Sequence, residues 1–409
     1  MHAQGKLAID EFSFRYLYPE DARAEVRPLD DLEHRLQLHA ASYQSHRNID
    51  IEPQFRACAL GEDAAETLLQ SVISLLMYCH VPARTTPNNS YATHTSYPSP
   101  RSYYVLQFII EEDTQSYCVD FDAMALKSMQ CLPTALAKNH VRLRIKADFS
   151  RYDAIYNLFR KALFALEAGH FISELHNLGQ RCGLQVQPQI DQDGLAVILS
   201  EDADLVPDSQ ALSQHTLYAS TRNSGQINNG LFFTAYHRFH REQFQNLVDA
   251  LHDAMEEVAQ FFPIVKSFPL SAALCVRSGE GLDAGIYSVE TQDQLHQLTE
   301  TDPVERCQEN YTYNTFSFAS VPGVVYLCVD QKALSFSDQE FLALNCALGY
   351  VMQNLIRVLV QEGLFGRPFR SYNQFGIDQL LGNGEKRRKA YYGLIIGKNR
   401  AQCATGILR

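Results

Sequence analysis

The sequence predicts an α+β fold made of two tandem domains, and three observations lead there. Aromatic and β-branched runs with strand character interleave with long stretches of helical apolar spacing. That order of elements occurs twice along the chain. The length, 409 residues at 46% hydrophobic and 20% charged, suits two domains with ample apolar material for a core, and it excludes a disordered or fibrous chain.

Residues 1–42 are mixed and charged, with a turn signal at Tyr18-Pro19-Glu20-Asp21, and read as an appended arm. Ala64 to Cys79 has the apolar spacing of a helix, with Asp63 as its N-cap. Pro82 to Pro100, rich in Pro, Asn, Ser and Thr, reads as a long loop of the kind that often carries function. Strand-like runs follow at Tyr103–Ile110, Ser116–Phe121 and Val141–Ile145. From Ala154 to Gln180 the spacing is helical again, closing at Gly183. Residues 185–215 are acidic and turn-prone around a strand at Leu195–Leu199, so the internal boundary is placed there. The expected domains are therefore 43–205 and 206–409. In the second, Gln243–Phe262 is helical, while Ser271–Val276, Gly285–Val289 and Val324–Val329 are strands. Asp338–Gln361 is a long apolar helix closed by Gly363, and Tyr391–Ile396 is a last strand.

The repeat has two landmarks. Tyr104-Val105-Leu106-Gln107-Phe108 corresponds to Phe268-Pro269-Leu270-Ser271-Ala272, an offset of 268 − 104 = 164. Glu167-Ala168-Gly169-His170 corresponds to Ala347-Leu348-Gly349-Tyr350, an offset of 349 − 169 = 180.

Charge and cysteine usage narrow the function classes. With 35 Lys and Arg against 47 Asp and Glu the net charge is −12, which disfavours a nucleic-acid binder, since phosphate affinity rests on clustered cations. The one dense basic run, Lys386-Arg387-Arg388-Lys389 followed by Lys398 and Arg400, is short. Ten scattered cysteines form no Cys-x-x-Cys pair and no metal-ligand spacing, so a reduced, cytoplasmic protein is expected. The N-terminus lacks a signal-peptide core, and no uncharged apolar stretch reaches a membrane span.

In order, the second half presents Arg222-Asn223-Ser224, Ser267-Phe268-Pro269-Leu270-Ser271, Gly281-Leu282-Asp283-Ala284-Gly285-Ile286-Tyr287, Gly349-Tyr350-Val351-Met352-Gln353-Asn354-Leu355, Leu380-Leu381-Gly382 and a strand ending at Gly397-Lys398. The first half has Pro98-Ser99-Pro100-Arg101-Ser102-Tyr103-Tyr104-Val105 and Glu167-Ala168-Gly169-His170, and lacks Leu-Leu-Gly, so it reads as truncated. This succession, covering residues 43–409, resembles the nitroreductase-like flavoproteins, and within them the SagB-type dehydrogenases. The resemblance implies two tandem nitroreductase-like domains forming an internal pseudo-dimer around FMN. It further implies one competent flavin site assembled from Arg222, Ser224, Lys398 and Arg400 of the second half and Pro98, Ser99 and Ser102 of the first, and a second, decayed one. Arginine, a hydroxyl and a further cation suit a phosphate dianion. Taken alone, Arg222-Asn223-Ser224 also reads as a turn, Lys398 and Arg400 as tail charges, and Pro98-Ser99-Pro100 as a surface turn.

SagB-type enzymes oxidise azoline rings of ribosomally made peptides to azoles, so the resemblance implies a peptide substrate and partner enzymes of a peptide-modifying complex. The ring loses a hydride to the flavin and a proton to a side chain. The family's Lys-Tyr pair falls on Ile155 and Tyr156 here, and on Ser335 and Phe336 in the second half, so Tyr156 is the candidate catalytic base without its lysine. A tyrosine titrating at roughly 10 needs a nearby cation to serve as a base, and Arg151, Arg160 and Lys161 are the candidates by proximity in sequence. Tyr156 has the alternative reading of a core aromatic, and His170 that of a packed helix residue.

Overall fold

The computed structural model describes residues 36–37, 43–54, 67–86, 91–129, 136–153, 156, 159–228, 231–289, 296–299, 302–313, 316–330, 337–383, 388–400 and 406–407. The arm apart from Leu36 and Gln37, together with Asp63, Ile155, Ser335 and Phe336, lies outside the described residues, as do Lys386 and Arg387 of the basic run. The chain divides into two compact units. The N-terminal unit ends at Thr221 and also takes in Phe341–Tyr350 and residues 406–407, while the C-terminal unit holds Arg222–Glu340 and residues 351–400. The changeover falls at Thr221, later than the boundary expected after residue 205, and the segment between ends in a helix, Ala211–Thr221, that groups with the N-terminal unit.

In the N-terminal unit the strands are β1 (Tyr43–Asp50), β2 (Leu106–Glu112), β3 (Gln115–Asp120), β4 (Ala125–Met129), β5 (His140–Ala147), β6 (Leu184–Asp191) and β7 (Gly194–Glu201). They form one antiparallel sheet in the order β1-β4-β3-β2-β5-β7-β6. The helices are α1 (Leu68–His80), α2 (Arg160–Arg181) and α3 (Ala211–Thr221). Thr67 starts α1 with a capping box, accepting from the Gln70 N–H while the Gln70 side chain accepts from the Thr67 N–H. The α2 helix begins at Arg160 rather than at Ala154, and it stops where Gly183 takes a φ of +83°.

The C-terminal unit repeats the plan. Its strands β8 (Leu270–Val276), β9 (Gly285–Val289), β10 (His296–Thr299), β11 (Gly323–Asp330), β12 (Phe365–Phe369) and β13 (Arg388–Gly397) run β10-β9-β8-β11-β13-β12, again antiparallel. Strand for strand, this is the order β4-β3-β2-β5-β7-β6. Leu106 opens β2 and Leu270 opens β8, which is the offset of 164 read from the sequence. The helices are α4 (Arg241–Phe261), α5 (Val304–Glu309), α6 (Asp338–Gln361) and α7 (Gln374–Leu380). An aromatic core of Phe316, Phe318, Tyr326, Phe365, Phe369 and Tyr372 fills the space beside β11 and β12. The Leu380-Leu381-Gly382 segment belongs to α7 and its end, between β12 and β13; the N-terminal unit joins β6 to β7 by a tight hairpin at that place.

The second landmark of the repeat is a helix crossing. The middle of α6 belongs to the N-terminal unit and meets α2 there. A Cβ on Gly169 would lie 2.0 Å from the Cys346 carbonyl oxygen, and one on Gly349 would lie 2.1 Å from that of Leu166. Only glycine at both positions lets the backbones approach so closely. Nearby, Tyr350 Oη and His176 Nδ1 are hydrogen-bonded at 2.7 Å. Among the described residues α6 is the single helix long and apolar enough to cross a membrane, yet 78% of its most apolar window is buried inside the protein. Six of the seven described cysteines are buried, and all seven are free thiols.

Candidate functional site

Two groups of chemistry-bearing residues stand out, one in each unit. In the C-terminal unit, Arg222 through Gly225 make a turn directly after α3. Gly225 has a φ of +95°, which glycine alone adopts without strain, and its N–H donates to Asn223 Oδ1 at 3.1 Å. Asn399 Nδ2 donates to the same oxygen at 2.8 Å, which ties the turn to the segment following β13. That segment is pinned on its other side: Ala235 N–H donates to the Lys398 carbonyl at 2.7 Å, and Arg400 Nε to the Thr234 carbonyl at 3.2 Å. Lys398 and Arg400 flank Asn399 on this segment. Both are exposed. Arg367 of β12 donates from Nη1 to the Ser224 carbonyl at 3.2 Å and adds a further cation.

Three of the expected phosphate ligands, Ser224, Lys398 and Arg400, thus lie on the two segments that the Asn223–Asn399 bond ties together. Arg222 is different. It is 1% exposed, so its charge acts from inside the fold, while Lys398 and Arg400 form the accessible part of the cluster. Arg238 stacks on Tyr236 at 4.0 Å, and His237 is held below its ordinary titration range by burial and by the charges of Lys398, His240 and Arg238. A pair of exposed cations beside a serine turn, backed by buried and half-buried arginines, is a donor set that fits a phosphate monoester dianion. Asn223, Asn399 and Arg367 were missed by the sequence reading. Asn399 stood between two flagged residues.

In the N-terminal unit, the loop Pro98–Tyr104 is strained. Arg101, Ser102 and Tyr104 have φ of 48°, 53° and 45°, left-handed conformations that non-glycine residues rarely take. Ser99, expected to serve a flavin, holds this loop to α2: its Oγ donates to Glu167 Oε2 at 2.8 Å and accepts from the Tyr104 N–H at 2.9 Å. Thr95 N–H donates to Tyr104 Oη at 3.0 Å, and Ser102 Oγ lies 3.5 Å from His94 Nδ1. Pro98 is half-buried. Glu167 is 1% exposed, and burial pushes its carboxyl up to about 8 against the opposing pull of Ser99, the Val105 N–H and Arg151. Behind the loop, Tyr97 Oη and His80 Nδ1 are 2.6 Å apart. His170 on α2 is 1% exposed, the packed position expected by its plain reading.

Tyr156 lies half-buried in a 3₁₀ turn ahead of α2, not within the helix. The cation that faces it is Arg101, whose guanidinium carbon is 5.3 Å from the Tyr156 ring centroid. Of the three cations expected there, Arg151 donates to the Tyr104 carbonyl and pairs with Asp148, Arg160 stacks on Phe149, and Lys161 is buried on α2. Among the described residues no group of three or more His, Cys, Asp or Glu is arranged to hold a metal.

No protein-family model matches the sequence, and no curated protein is similar to it in sequence. Among solved structures, a protein from Anabaena variabilis assigned as a nitroreductase matches 91% of this chain and 99% of its own, with a TM-score of 0.64 at 13% identity. The fold is that of the nitroreductases. A Ralstonia eutropha protein assigned to the same class matches 44% of this chain and 81% of its own at a TM-score of 0.33 and 13% identity. The E. coli microcin synthetase McbBCD complex with truncated pro-MccB17 bound matches 32% and 52%, with a TM-score of 0.27 and 16% identity.

Proposed function

We propose that this chain is an FMN-dependent oxidoreductase of the SagB type, which oxidises azoline rings to azoles in a ribosomally made, post-translationally modified peptide. The observation that supports the flavin part is the Asn223–Asn399 bond, which ties the turn holding Ser224 to the segment holding Lys398 and Arg400 on a nitroreductase fold. In this reading Lys398, Arg400 and the Ser224 hydroxyl bind the phosphate, and Arg222 raises the local positive potential from within. Pro98, Ser99 and Ser102 are the loop that the resemblance assigns to the flavin, with Ser99 shaping the loop through Glu167. FMN, when bound, supplies a hydride acceptor. Tyr156 takes the proton, and the peptide substrate comes with other enzymes of a modifying complex.

The azoline part rests on Tyr156 and on the order of motifs. A related reading keeps FMN and the oxidoreductase class and changes the substrate to another peptide or a small molecule. The absence of the lysine at position 155 and the engagement of the Ser99 hydroxyl with Glu167 and the Tyr104 N–H favour one other reading, a non-catalytic scaffold of nitroreductase fold in a peptide-modifying complex. The visible absorbance spectrum of the purified protein, with mass identification of the released cofactor, separates these. A yellow protein releasing FMN is expected; colourless protein that takes up no added FMN overturns the enzyme reading.

A further inference from the structure

The loop that carries Arg101 is built at a conformational expense that an ordinary surface arginine does not need. Arg101 and Ser102 both adopt left-handed backbone, which strains a residue that is not glycine. The result is a guanidinium fixed between two rings, 5.3 Å from that of Tyr156 and 5.9 Å from that of Tyr91, both inside the roughly 6 Å range of cation–π attraction. Asp153 Oδ2 accepts from Arg101 Nη1 at 2.5 Å and from Tyr103 Oη at 2.5 Å, which locks the head group in place. Tyr103 and Tyr152 pack their rings on Tyr156 at 6.4 and 6.0 Å. The Arg101 guanidinium and the rings of Tyr103 and Tyr152 thus face Tyr156, while the Asp153 carboxylate and the Tyr91 ring face Arg101.

We propose that Arg101 is a positioning residue for Tyr156, supplying through space the cation that favours its phenolate, a charge that Ile155 does not provide in the chain beside it. A positive charge stabilises the ionised form of a neighbouring acid, and a negative one opposes it. Arg101 and Asp153 therefore act on Tyr156 with opposite signs, and the strained loop holds the cation against the ring. This inference rests on the reading of Tyr156 as the proton acceptor.

The test is a spectrophotometric titration of tyrosinate, in which the difference between the protein and its Tyr156→Phe variant isolates the Tyr156 step. Arg101→Gln is expected to move that step up by about one pH unit or more, a tenfold change in the equilibrium. Arg101→Lys moves it less, and Asp153→Asn moves it down. A step that stays in place in Arg101→Gln, or that moves the same way in Arg101→Gln and Asp153→Asn, overturns the proposal. If Arg101→Gln does not fold, the Arg101→Lys and Asp153→Asn pair decides by the same comparison. The measurement needs neither flavin nor substrate, so colourless protein sinks the flavin reading alone, and an unmoved step in a yellow protein sinks this inference alone.

Discussion

Glu167 holds a carboxyl where water does not reach it, and the Ser99 hydroxyl is its hydrogen-bond partner from the strained loop. Because burial raises its titration to about 8 from the ordinary 4.5, the fold favours the protonated form. The contribution of this group to stability is therefore complete below about 4.5 and is lost as the pH rises toward 8, on the order of a few kcal/mol in all. Glu167→Gln, which keeps the shape and removes the charge, is expected to flatten the pH dependence of the thermal midpoint over that window and to be the more stable protein at its alkaline end. A midpoint profile identical to that of the unaltered chain would count against a buried, titrating Glu167. None of this was visible in the string Glu167-Ala168-Gly169-His170, since burial of a carboxyl is decided by what packs over it. The same holds for Tyr156 and Arg101: they are far apart in the chain, and only a left-handed turn brings the guanidinium to the ring.

The α2–α6 crossing depends on two glycines. Gly169→Ala or Gly349→Ala places a methyl group about 2 Å from a backbone oxygen of the facing helix, so the helices must separate. We expect a loss of about 3 kcal/mol or more in denaturant unfolding. Gly363→Ala is the comparison: nothing lies within 4 Å of its Cβ, and its φ of +69° alone costs about 1–2 kcal/mol. Equal losses at the two kinds of position would contradict the crossing. In the turn proposed to bind the flavin phosphate, Asn399→Ala cuts the tie to Asn223 and is expected to weaken FMN retention at least several-fold, read by dialysis and flavin absorbance, with little change in unfolding. Long periodic elements were legible from their residues: Asp338–Gln361 and Gly285–Val289 are found at the bounds expected. Strands β4, β6, β10 and β12 and helices α3, α5 and α7 were not. β6 shows why, since Leu184-Gln185-Val186-Gln187-Pro188 alternates correctly but carries the proline and polar residues that mark a loop. An edge strand tolerates both, and β6 is at the edge of its sheet.

The two sheets share one strand order, yet the units are not independent pieces of chain. Phe341–Tyr350, encoded in the second half, completes the N-terminal unit at the Gly169 face of α2. A chain ending at Thr221 is therefore expected to be insoluble or molten, and co-expression of residues 222–409 to restore it; a well-dispersed amide spectrum from the short chain alone would refute this. The sequence by itself determined the α+β class, the tandem repeat and its offsets, because hydrophobic periodicity and glycine positions are local properties that each segment carries. Its resemblance to the nitroreductase-like flavoproteins also singled out Arg222, Ser224, Lys398 and Arg400. Tertiary structure alone decided that Arg222 is buried while Lys398 and Arg400 are exposed, that Ser99 is bound to Glu167, and that Arg101 is the cation beside Tyr156. Burial, charge proximity and hydrogen-bond partnership are properties of residue pairs distant in the chain, and they come into being only when the sheets and helices close around them.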